Sequence, residues 1–213
     1  NIRILGKFWS RGGGMQWLAQ TYPKGDDLSN IKMAIDHGAM GAFVMGGIAD
    51  QVVREKKIGD LQKPIEYIRS QGIIGGTAAH SMAVLEACSE NLIEVDFFMK
   101  TFHHHNYWSA TPVDPGNPEL PEEGDDHNMA HDNLWCMSDS AVSEFFKKNP
   151  TPWIAYKVFA AGAIKPEDGL RHAFSSGADF ACVGMFDFQV VENSNIAYSL
   201  LNSQLNRERN WYA

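Results

Sequence analysis

Two stretches of the sequence decide the fold: "AIDHGAMGAFVMGG" at residues 34–47 and "AFSSGADFACVGMF" at residues 173–186. Each joins the end of an amphipathic segment to a Gly-Ala step, a short apolar run and a further glycine. Glycine ends helices because it adopts the left-handed conformation, and a short, continuous apolar run is typical of a strand buried on both faces. Helices that lead directly into buried strands build parallel sheets. The two stretches therefore predict an α/β fold made of repeated βα units.

The same alternation extends along nearly the whole chain. Apolar runs predict six strands, at residues 15–23, 39–47, 72–80, within 95–108, 153–164 and 178–188. Amphipathic, capped segments predict helices at residues 26–38, 50–71, 81–91, 138–149, 165–177 and 192–205. Asp27 or Ser29 can cap the first of these helices, Gly38 can end it, and the second is expected to break near Gly59 or Pro64. Residues 1–13 predict the tail of an earlier helix.

The last two predicted units suggest how the strands are arranged. "AAGAI" at 160–164, followed by "GADFACVGMF" at 177–186, resembles the final two strands of aldolase-type (β/α)8 barrels. In those barrels a Gly-rich turn after strand seven precedes the motif GAD-x-x-x-VG on strand eight. The resemblance implies one TIM-barrel domain over residues 1–213, with strands three to eight visible. Because such barrels typically need ~250 residues, two further units are expected upstream. An open, doubly wound sheet would also accommodate six strands.

The composition excludes several classes of protein. The chain is 44% hydrophobic and 21% charged, with a formal net charge of −8. Nucleic-acid-binding proteins usually carry a basic stripe, and none is present here. Cys88, Cys136 and Cys182 are too widely spaced for a disulfide framework or a zinc pair, which suits a reducing compartment. With no signal peptide and no apolar run of membrane length, the sequence predicts a cytoplasmic protein without a nucleic-acid or membrane partner.

Lysines occupy two of the predicted strands. Lys100 lies within "VDFFMKTFHHHNYW" at 95–108, and Lys157 lies within "WIAYKVFAAGAI" at 153–164. Side chains alternate between the lumen and the helix layer of a barrel, and an unpaired charge in an apolar helix-facing layer is unfavourable. We therefore expect both lysines to point into the lumen, with Phe98 and Phe102 beside Lys100. Catalytic groups in such barrels lie at the carboxyl ends of the strands.

Two neighbouring lysines indicate a particular chemistry. Like charge and desolvation each lower the pKa of an amine, so that one of the pair can be a neutral nucleophile near pH 7. A neutral amine attacks a carbonyl to form a Schiff base, which accepts electrons during C–C cleavage or proton abstraction. The favoured prediction is thus Schiff-base chemistry on a small carbonyl or sugar-like metabolite, without a cofactor.

A family resemblance agrees with this chemistry. "MKTF" at 99–102 and "YKVFAAGAIKPEDGL" at 156–170, followed by "GAD", resemble the pattern of deoxyribose-phosphate aldolases. That family carries its Schiff-base lysine on strand six, followed by threonine, and a second lysine on strand seven. The resemblance implies that Lys100 is the Schiff-base amine, that Lys157 activates it, and that the protein is a class I aldolase-like lyase. The chain also resembles a group of bacterial barrel proteins that share "AHS", "MKT-x-HH" and "GMFDFQV".

The sequence departs from the aldolase pattern where those enzymes bind a substrate phosphate. "AAGAI" keeps part of the small-residue turn, so Gly162 is a predicted substrate-binding residue. Strand eight instead ends in Phe186, Asp187 and Phe188, where a carboxylate would repel phosphate. Asp187 is therefore predicted to bind a substrate that lacks a phosphate group. It could alternatively form an interior ion pair with Lys100 or Lys157 that serves only stability.

Histidines lie at the ends of two neighbouring predicted strands, the third (72–80) and the fourth (within 95–108). His103, His104 and His105 end one of them, and His80 ends the other. Imidazoles at neighbouring strand ends, together with a carboxylate, are typical of catalytic metal sites. His80, His103 or His105, and Asp187 therefore form the predicted ligand set for zinc or manganese in the alternative, a metal-dependent sugar isomerase, epimerase or hydrolase. Under the favoured prediction, His80, His103 and His105 are catalytic residues that move protons beside the lysine.

The long irregular segment at 109–133 is rich in proline and carboxylates. Such a segment on the catalytic face is either a lid or a flexible insertion. As a lid it would bring Tyr107 or Trp108 over the substrate, and aromatic faces suit sugar rings. A third class of function is a barrel that binds a ligand without catalysis, and assembly with further copies of the chain is left open.

Overall fold

The structure is a computed structural model, and it describes residues 2–110, 136–207 and 209–212. This part of the chain contains helices and strands in alternation: α1 (Ile2–Trp9), β1 (Leu18–Thr21), α2 (Ser29–Asp36), β2 (Gly41–Val44), α3 (Gly46–Arg54), α4 (Gly59–Ser70), β3 (Ile74–Ala79), α5 (Met82–Glu90), β4 (Phe97–Thr101), α6 (Asp139–Lys148), β5 (Trp153–Tyr156), α7 (Pro166–Ser175), β6 (Phe180–Cys182) and α8 (Val190–Leu201). Short 3-10 turns at Ala160–Gly162 and Asp187–Gln189 precede α7 and α8. The predicted alternation of strands and helices is confirmed.

The chain divides into two compact units. The first comprises Asn1–Ala79 and Ala83–Phe97, and the second comprises His80–Met82 and Phe98–Ala213. In the first unit β1 pairs with β2 and β2 with β3, both in parallel. Its core is built from small and branched apolar side chains on α2, α4 and the strands, including Ala19, Ile31, Ala34, Ala42 and Ile68. Glycine is required at position 76, because an added Cβ would lie 2.6 Å from the Phe97 carbonyl oxygen.

In the second unit β4 pairs with β5 and β5 with β6, again in parallel. An aromatic cluster joins these strands to α6. Phe98 packs edge-on against Phe145 and Phe146, with ring centroids 6.1 Å apart in each pair. Trp153 stacks on Phe146 at 4.5 Å, and Phe102 meets Trp153 edge-on at 4.9 Å. The face of β4 that carries Phe98 is therefore the face that α6 covers.

The predicted orientation of Lys100 is corrected by this packing. Alternate residues of a strand share a face, so Lys100 lies on the same side of β4 as Phe98, towards α6 rather than towards a lumen. The prediction assumed that a lysine on the helix-facing side would lack partners. In the structure the Lys100 ammonium instead donates hydrogen bonds to backbone and hydroxyl oxygens.

The predicted closed barrel is wrong. The strand order is β1-β2-β3-β4-β5-β6, and within the described residues the terminal strands β1 and β6 do not pair with each other. A barrel is closed only when its first and last strands pair, and the TIM barrel needs eight strands to do so. The α/β class and the six parallel strands are confirmed, whereas the (β/α)8 TIM barrel is not.

Two of the predicted elements, the helix at 50–71 and the strand at 153–164, end at other positions in the structure. The predicted helix at 50–71 breaks into α3 and α4 just before Gly59, whereas Pro64 lies inside α4 without ending it. The predicted strand at 153–164 ends at Tyr156, because Lys157 adopts a left-handed backbone with φ +59°. Lys157 is therefore not a strand residue, so the alternation of strand side chains from which its inward orientation was predicted does not extend to it. Most of the predicted irregular segment, residues 111–133, lies outside the described residues.

No helix in the described ranges is both long and apolar enough to cross a membrane.

Candidate functional site

The candidate site lies in the second unit, at the carboxyl end of β4. The strand supplies Lys100 and Thr101, and the chain continues directly into His103, His104 and His105. The carboxyl ends of parallel strands are where α/β proteins bind ligands, because the loops that follow the strands converge there. The apolar residues Phe98 and Phe102 anchor this segment to the aromatic cluster, which fixes the positions of the polar residues between and after them.

Lys100 is buried, with 1% of its surface exposed. Its Nζ donates hydrogen bonds to the His80 carbonyl oxygen at 2.7 Å, to Thr101 Oγ1 at 2.8 Å and to the Thr101 carbonyl oxygen at 3.1 Å. An ammonium group has three N–H donors, and these oxygens are acceptors that suit the charged form. A buried charge is tolerated when it is hydrogen-bonded in this way.

His103 is equally buried, at 1% exposure, and its imidazole is only half satisfied. Nδ1 lies 3.1 Å from the His104 carbonyl oxygen. Nε2 is fully buried and has no hydrogen-bond partner within the described residues. Burial lowers the pKa of His103 to about 4, and the nearby charge of Lys100 contributes in the same direction. His103 is therefore neutral at pH 7.

Two further rings surround His103. The His105 ring lies 5.3 Å from that of His103, and the Tyr107 ring lies 5.9 Å from it in an edge-on arrangement. Both side chains are half-buried. Three of the predicted residues, His103, His105 and Tyr107, are thus brought together as neighbouring rings.

A pair of titratable side chains, Asp139 and His172, lies next to this group. This pair was not predicted from the sequence. His172 Nε2 on α7 lies 3.0 Å from Asp139 Oδ2 at the start of α6, and this imidazole lowers the pKa of Asp139. The His172 ring stacks on Phe102 at 4.9 Å and lies 5.2 Å from the His104 ring. Burial and the neighbouring His172 lower the pKa of His104. No local pattern of the sequence links Asp139 to His172, since the two residues lie on different helices.

Cys136 also borders the site. Its thiol is fully buried, and this burial raises its pKa, while the charge of Lys100 acts in the opposite direction. From its spacing in the sequence, Cys136 indicated only a reducing compartment. Its position immediately before α6 places it beside the lysine.

The remaining predicted residues lie around or away from this group. The His80 backbone binds Lys100, and its ring lies 5.9 Å from that of Tyr156. Gly162 has φ +93° in the turn after β5 and has open space where a Cβ would stand. Trp108 is 90% exposed.

Asp187 is exposed, and its carboxylate accepts a hydrogen bond from the Phe188 N–H at 2.9 Å. This exposure argues against an interior ion pair between Asp187 and either lysine. The predicted metal set of His80, His103 or His105, and Asp187 is not assembled, since within the described ranges no three His, Cys, Asp or Glu side chains are grouped to hold a metal ion.

No model of a protein family matches the sequence, and no curated protein matches it. Together with the open sheet, this overturns the predicted membership of the deoxyribose-phosphate aldolases and of the aldolase-type barrels in general. The same finding leaves the resemblance to the bacterial barrel proteins without support.

Proposed function

We propose that the protein is an enzyme that transfers protons on a small carbonyl or sugar-like metabolite, with His103 as the base and Lys100 as the charge that stabilises the intermediate. The observation that carries the proposal is the buried, unpaired Nε2 of His103. A buried polar atom without a partner costs about 1–3 kcal/mol. A ligand that donates a hydrogen bond to this atom would recover that cost.

The hydrogen bonding of His103 defines what the ligand must offer. A carbonyl oxygen only accepts, so the contact with His104 requires Nδ1 to carry the proton. In the neutral ring Nε2 then presents a lone pair. The matching ligand group is a hydroxyl, or an acidic C–H beside a carbonyl, both of which sugar-like and hydroxycarbonyl compounds possess.

Lys100 supplies the complementary charge. When Nε2 removes a proton from the carbon beside a carbonyl, the electron pair of that C–H bond moves to the carbonyl oxygen and forms an enolate. A fixed ammonium in a water-poor site stabilises such an anion more strongly than it would in water. Transfer of the hydroxyl proton on the deprotonated carbon to the enolate oxygen, followed by return of the imidazolium proton to the former carbonyl carbon, would complete an isomerisation of a hydroxycarbonyl compound.

The Schiff-base mechanism remains a prediction that this geometry favours less. To attack a carbonyl, Lys100 would have to lose a proton and leave oxygens that match its charged form. The metal-dependent alternative likewise remains a prediction, to be checked by elemental analysis of the purified protein for zinc and manganese.

Proton exchange in D2O tests the proposal. The full chain is incubated with a panel of small hydroxyaldehydes, hydroxyketones and sugars, and deuterium uptake at carbons beside the carbonyl is followed by NMR. We expect uptake for at least one compound and a loss of about 100-fold or more in His103→Gln, in line with the usual contribution of a general base. The matched control, His37→Gln, replaces an exposed histidine on the other unit and should exchange at the wild-type rate.

Borohydride reduction of the same mixtures separates the two lysine mechanisms. A reduced adduct on Lys100, identified by peptide mapping, would replace the proposal with Schiff-base catalysis. Exchange that is equally fast in wild type and His103→Gln, or no exchange with any compound, would contradict the assignment of His103 as the base.

A further inference from the structure

The first helix, α1, has an unusual surface that is independent of the candidate site. At 3.6 residues per turn, its side chains fall into three adjoining rows. Ile2, Leu5 and Trp9 form a half-buried row, and Arg3 and Lys7 form an exposed cationic row. Between these rows lie Ile4, which is 72% exposed, and Phe8, which is 39% exposed. A helix with an exposed apolar row bordered by cations is typical of segments that lie in a membrane interface.

The half-buried row explains how α1 is held. The Trp9 ring lies 6.5 Å from the Trp17 ring, and Trp9 Nε1 donates a hydrogen bond to the Met15 carbonyl oxygen at 2.9 Å. The Phe8 ring covers Gly13, so that the chain after the helix folds back beneath it. These contacts orient α1 with Ile4 and part of Phe8 facing outward. Met15, 56% exposed, adds to the apolar surface beside them.

The charge around α1 is opposite to that of the rest of the protein. Residues 2–25 contain four cations and no Asp or Glu, whereas the remaining chain contains 14 cations and 26 acidic residues. Arg3, Lys7 and Arg11 are exposed, and none of them forms an ion pair in the ranges that the structure describes. A cationic surface on an acidic protein is complementary to an anionic partner.

We propose that α1 docks on the surface of an anionic lipid bilayer. Ile4 and Phe8 enter the boundary between head groups and acyl chains, while Arg3, Lys7 and Arg11 reach the lipid phosphates with their long side chains. The combination of an exposed apolar row with adjoining cations matches the boundary of an anionic bilayer, where acyl chains lie next to phosphates. This contact lies on the membrane surface and needs no spanning helix.

Vesicle sedimentation tests the proposal with the full chain. Vesicles of phosphatidylcholine alone are compared with vesicles of equal parts phosphatidylcholine and phosphatidylglycerol. We expect binding only to the second kind, weakening as salt is added because surface charges are screened. Each cation near an anionic surface contributes about 1 kcal/mol, so Arg3→Gln, Lys7→Gln and Arg11→Gln together should weaken binding on the order of 100-fold. Ile4→Ser with Phe8→Ser should also weaken it.

Two control variants match these changes elsewhere on the chain. Lys148→Gln, Lys165→Gln and Arg171→Gln remove the same charge from exposed positions in the second unit, and Phe188→Ser with Val191→Ser removes exposed apolar side chains. All the substituted cations are exposed, so circular dichroism should show wild-type folding throughout. Failure to bind the anionic vesicles would overturn the proposal. Equal losses in the α1 and control charge variants, or full binding by Ile4→Ser with Phe8→Ser, would also overturn it, since either result would indicate non-specific attraction.

Discussion

Lys100 is the residue whose removal should affect stability most directly at the candidate site. Replacement by methionine keeps the apolar stem but leaves the His80 and Thr101 oxygens without their ammonium. Buried acceptors that lose a charged partner cost about 3 kcal/mol in total. We therefore expect Lys100→Met to lower the free energy of unfolding in urea by about that amount. Lys148→Met, at the exposed end of α6, should change it by less than about 0.5 kcal/mol, and a similar small effect at Lys100 would show that the buried contacts are not formed.

His103 should make stability depend on pH. The folded state holds its pKa at about 4, against the ordinary value of 6.5. As the pH falls below 6.5, the His103 imidazole becomes protonated in the unfolded chain but stays neutral in the folded protein. The stability that His103 contributes is therefore fully present above pH 6.5 and is lost as the pH falls towards 4. At 1.36 kcal/mol for each pKa unit, we expect a loss of about 2 kcal/mol between pH 7 and pH 5. The lowered pKa of His104 acts in the same direction.

Urea unfolding of His103→Gln at the two pH values measures this contribution. The variant should lose most of the difference between pH 7 and pH 5, whereas His37→Gln, with its exposed imidazole, should behave as wild type does. An NMR titration of His103 with a midpoint near 6.5 would contradict the prediction directly.

The site residues differ in how far sequence could find them. Lys100 and His103 were predicted because a charge and an imidazole at the end of an apolar strand are conspicuous along the chain. Asp139 and His172 were not, because their contact depends on the packing of α6 against α7, two elements separated by β5. The exposure of Asp187 likewise follows from a 3-10 turn that its apolar neighbours, Phe186 and Phe188, did not indicate.

Among the helices, α6 matters most to the site because it carries Asp139 and packs against Phe98 on β4. Ser138 caps it, since its Oγ accepts a hydrogen bond from the Ala141 N–H at 3.1 Å. Loss of such a cap costs about 1 kcal/mol, and we expect Ser138→Ala to lower the free energy of urea unfolding accordingly. Ser199→Ala, at an exposed position inside α8, is the control and should be neutral or slightly stabilising. An unchanged stability in Ser138→Ala would mean that the cap contributes nothing.

Element types were predictable because apolar runs and caps are local properties of the sequence. The positions where elements end, and the faces that their side chains occupy, could not always be predicted. The left-handed backbone of Lys157 ends β5 eight residues before the predicted strand end at 164, and lysine gives no sign of that conformation. The orientation of β4 was predicted wrongly because backbone oxygens, which the sequence does not display, satisfy Lys100 on the helix-facing side.

Closure of the sheet is the property of the fold that was predicted wrongly, since the six strands form an open sheet. Repeated βα units indicate parallel strands, but they do not determine whether the first strand meets the last. The short motifs that resembled a barrel describe turns and helix ends, which open and closed parallel sheets share. The open order of the strands could be recognised only from the pairings themselves.

The ion pair between Asp179 and Arg209, which we call the clamp, lies at the ends of β5 and β6 opposite to the candidate site. Asp179 just before β6 is buried and accepts hydrogen bonds from the Trp153 N–H at the start of β5 and from the Tyr212 N–H, each at 3.0 Å. Arg209 forms an ion pair with the same carboxylate and donates to the carbonyl oxygens of Pro150 and Thr151 at 3.0 and 3.1 Å. This pair ties residues 209–212 to the amino-terminal ends of the strands, away from the candidate site.

The two side chains are only 10% and 3% exposed, and without Arg209 the buried carboxylate keeps only its longer contact with Arg207, whose Nη2 lies 3.8 Å from Asp179 Oδ1. Arg209→Met should therefore lower the free energy of urea unfolding by about 2–3 kcal/mol, the usual loss when a hydrogen bond to a charged group is removed. Arg171→Met removes an exposed arginine paired with Glu167 on α7 and should cost less than about 1 kcal/mol. Since the clamp lies at the far ends of the strands, the NMR titration of His103 in the folded fraction of Arg209→Met should keep its midpoint near 4. A midpoint that moves towards 6.5 would mean that the clamp and the site are coupled, and a small loss of stability would mean that water replaces the arginine.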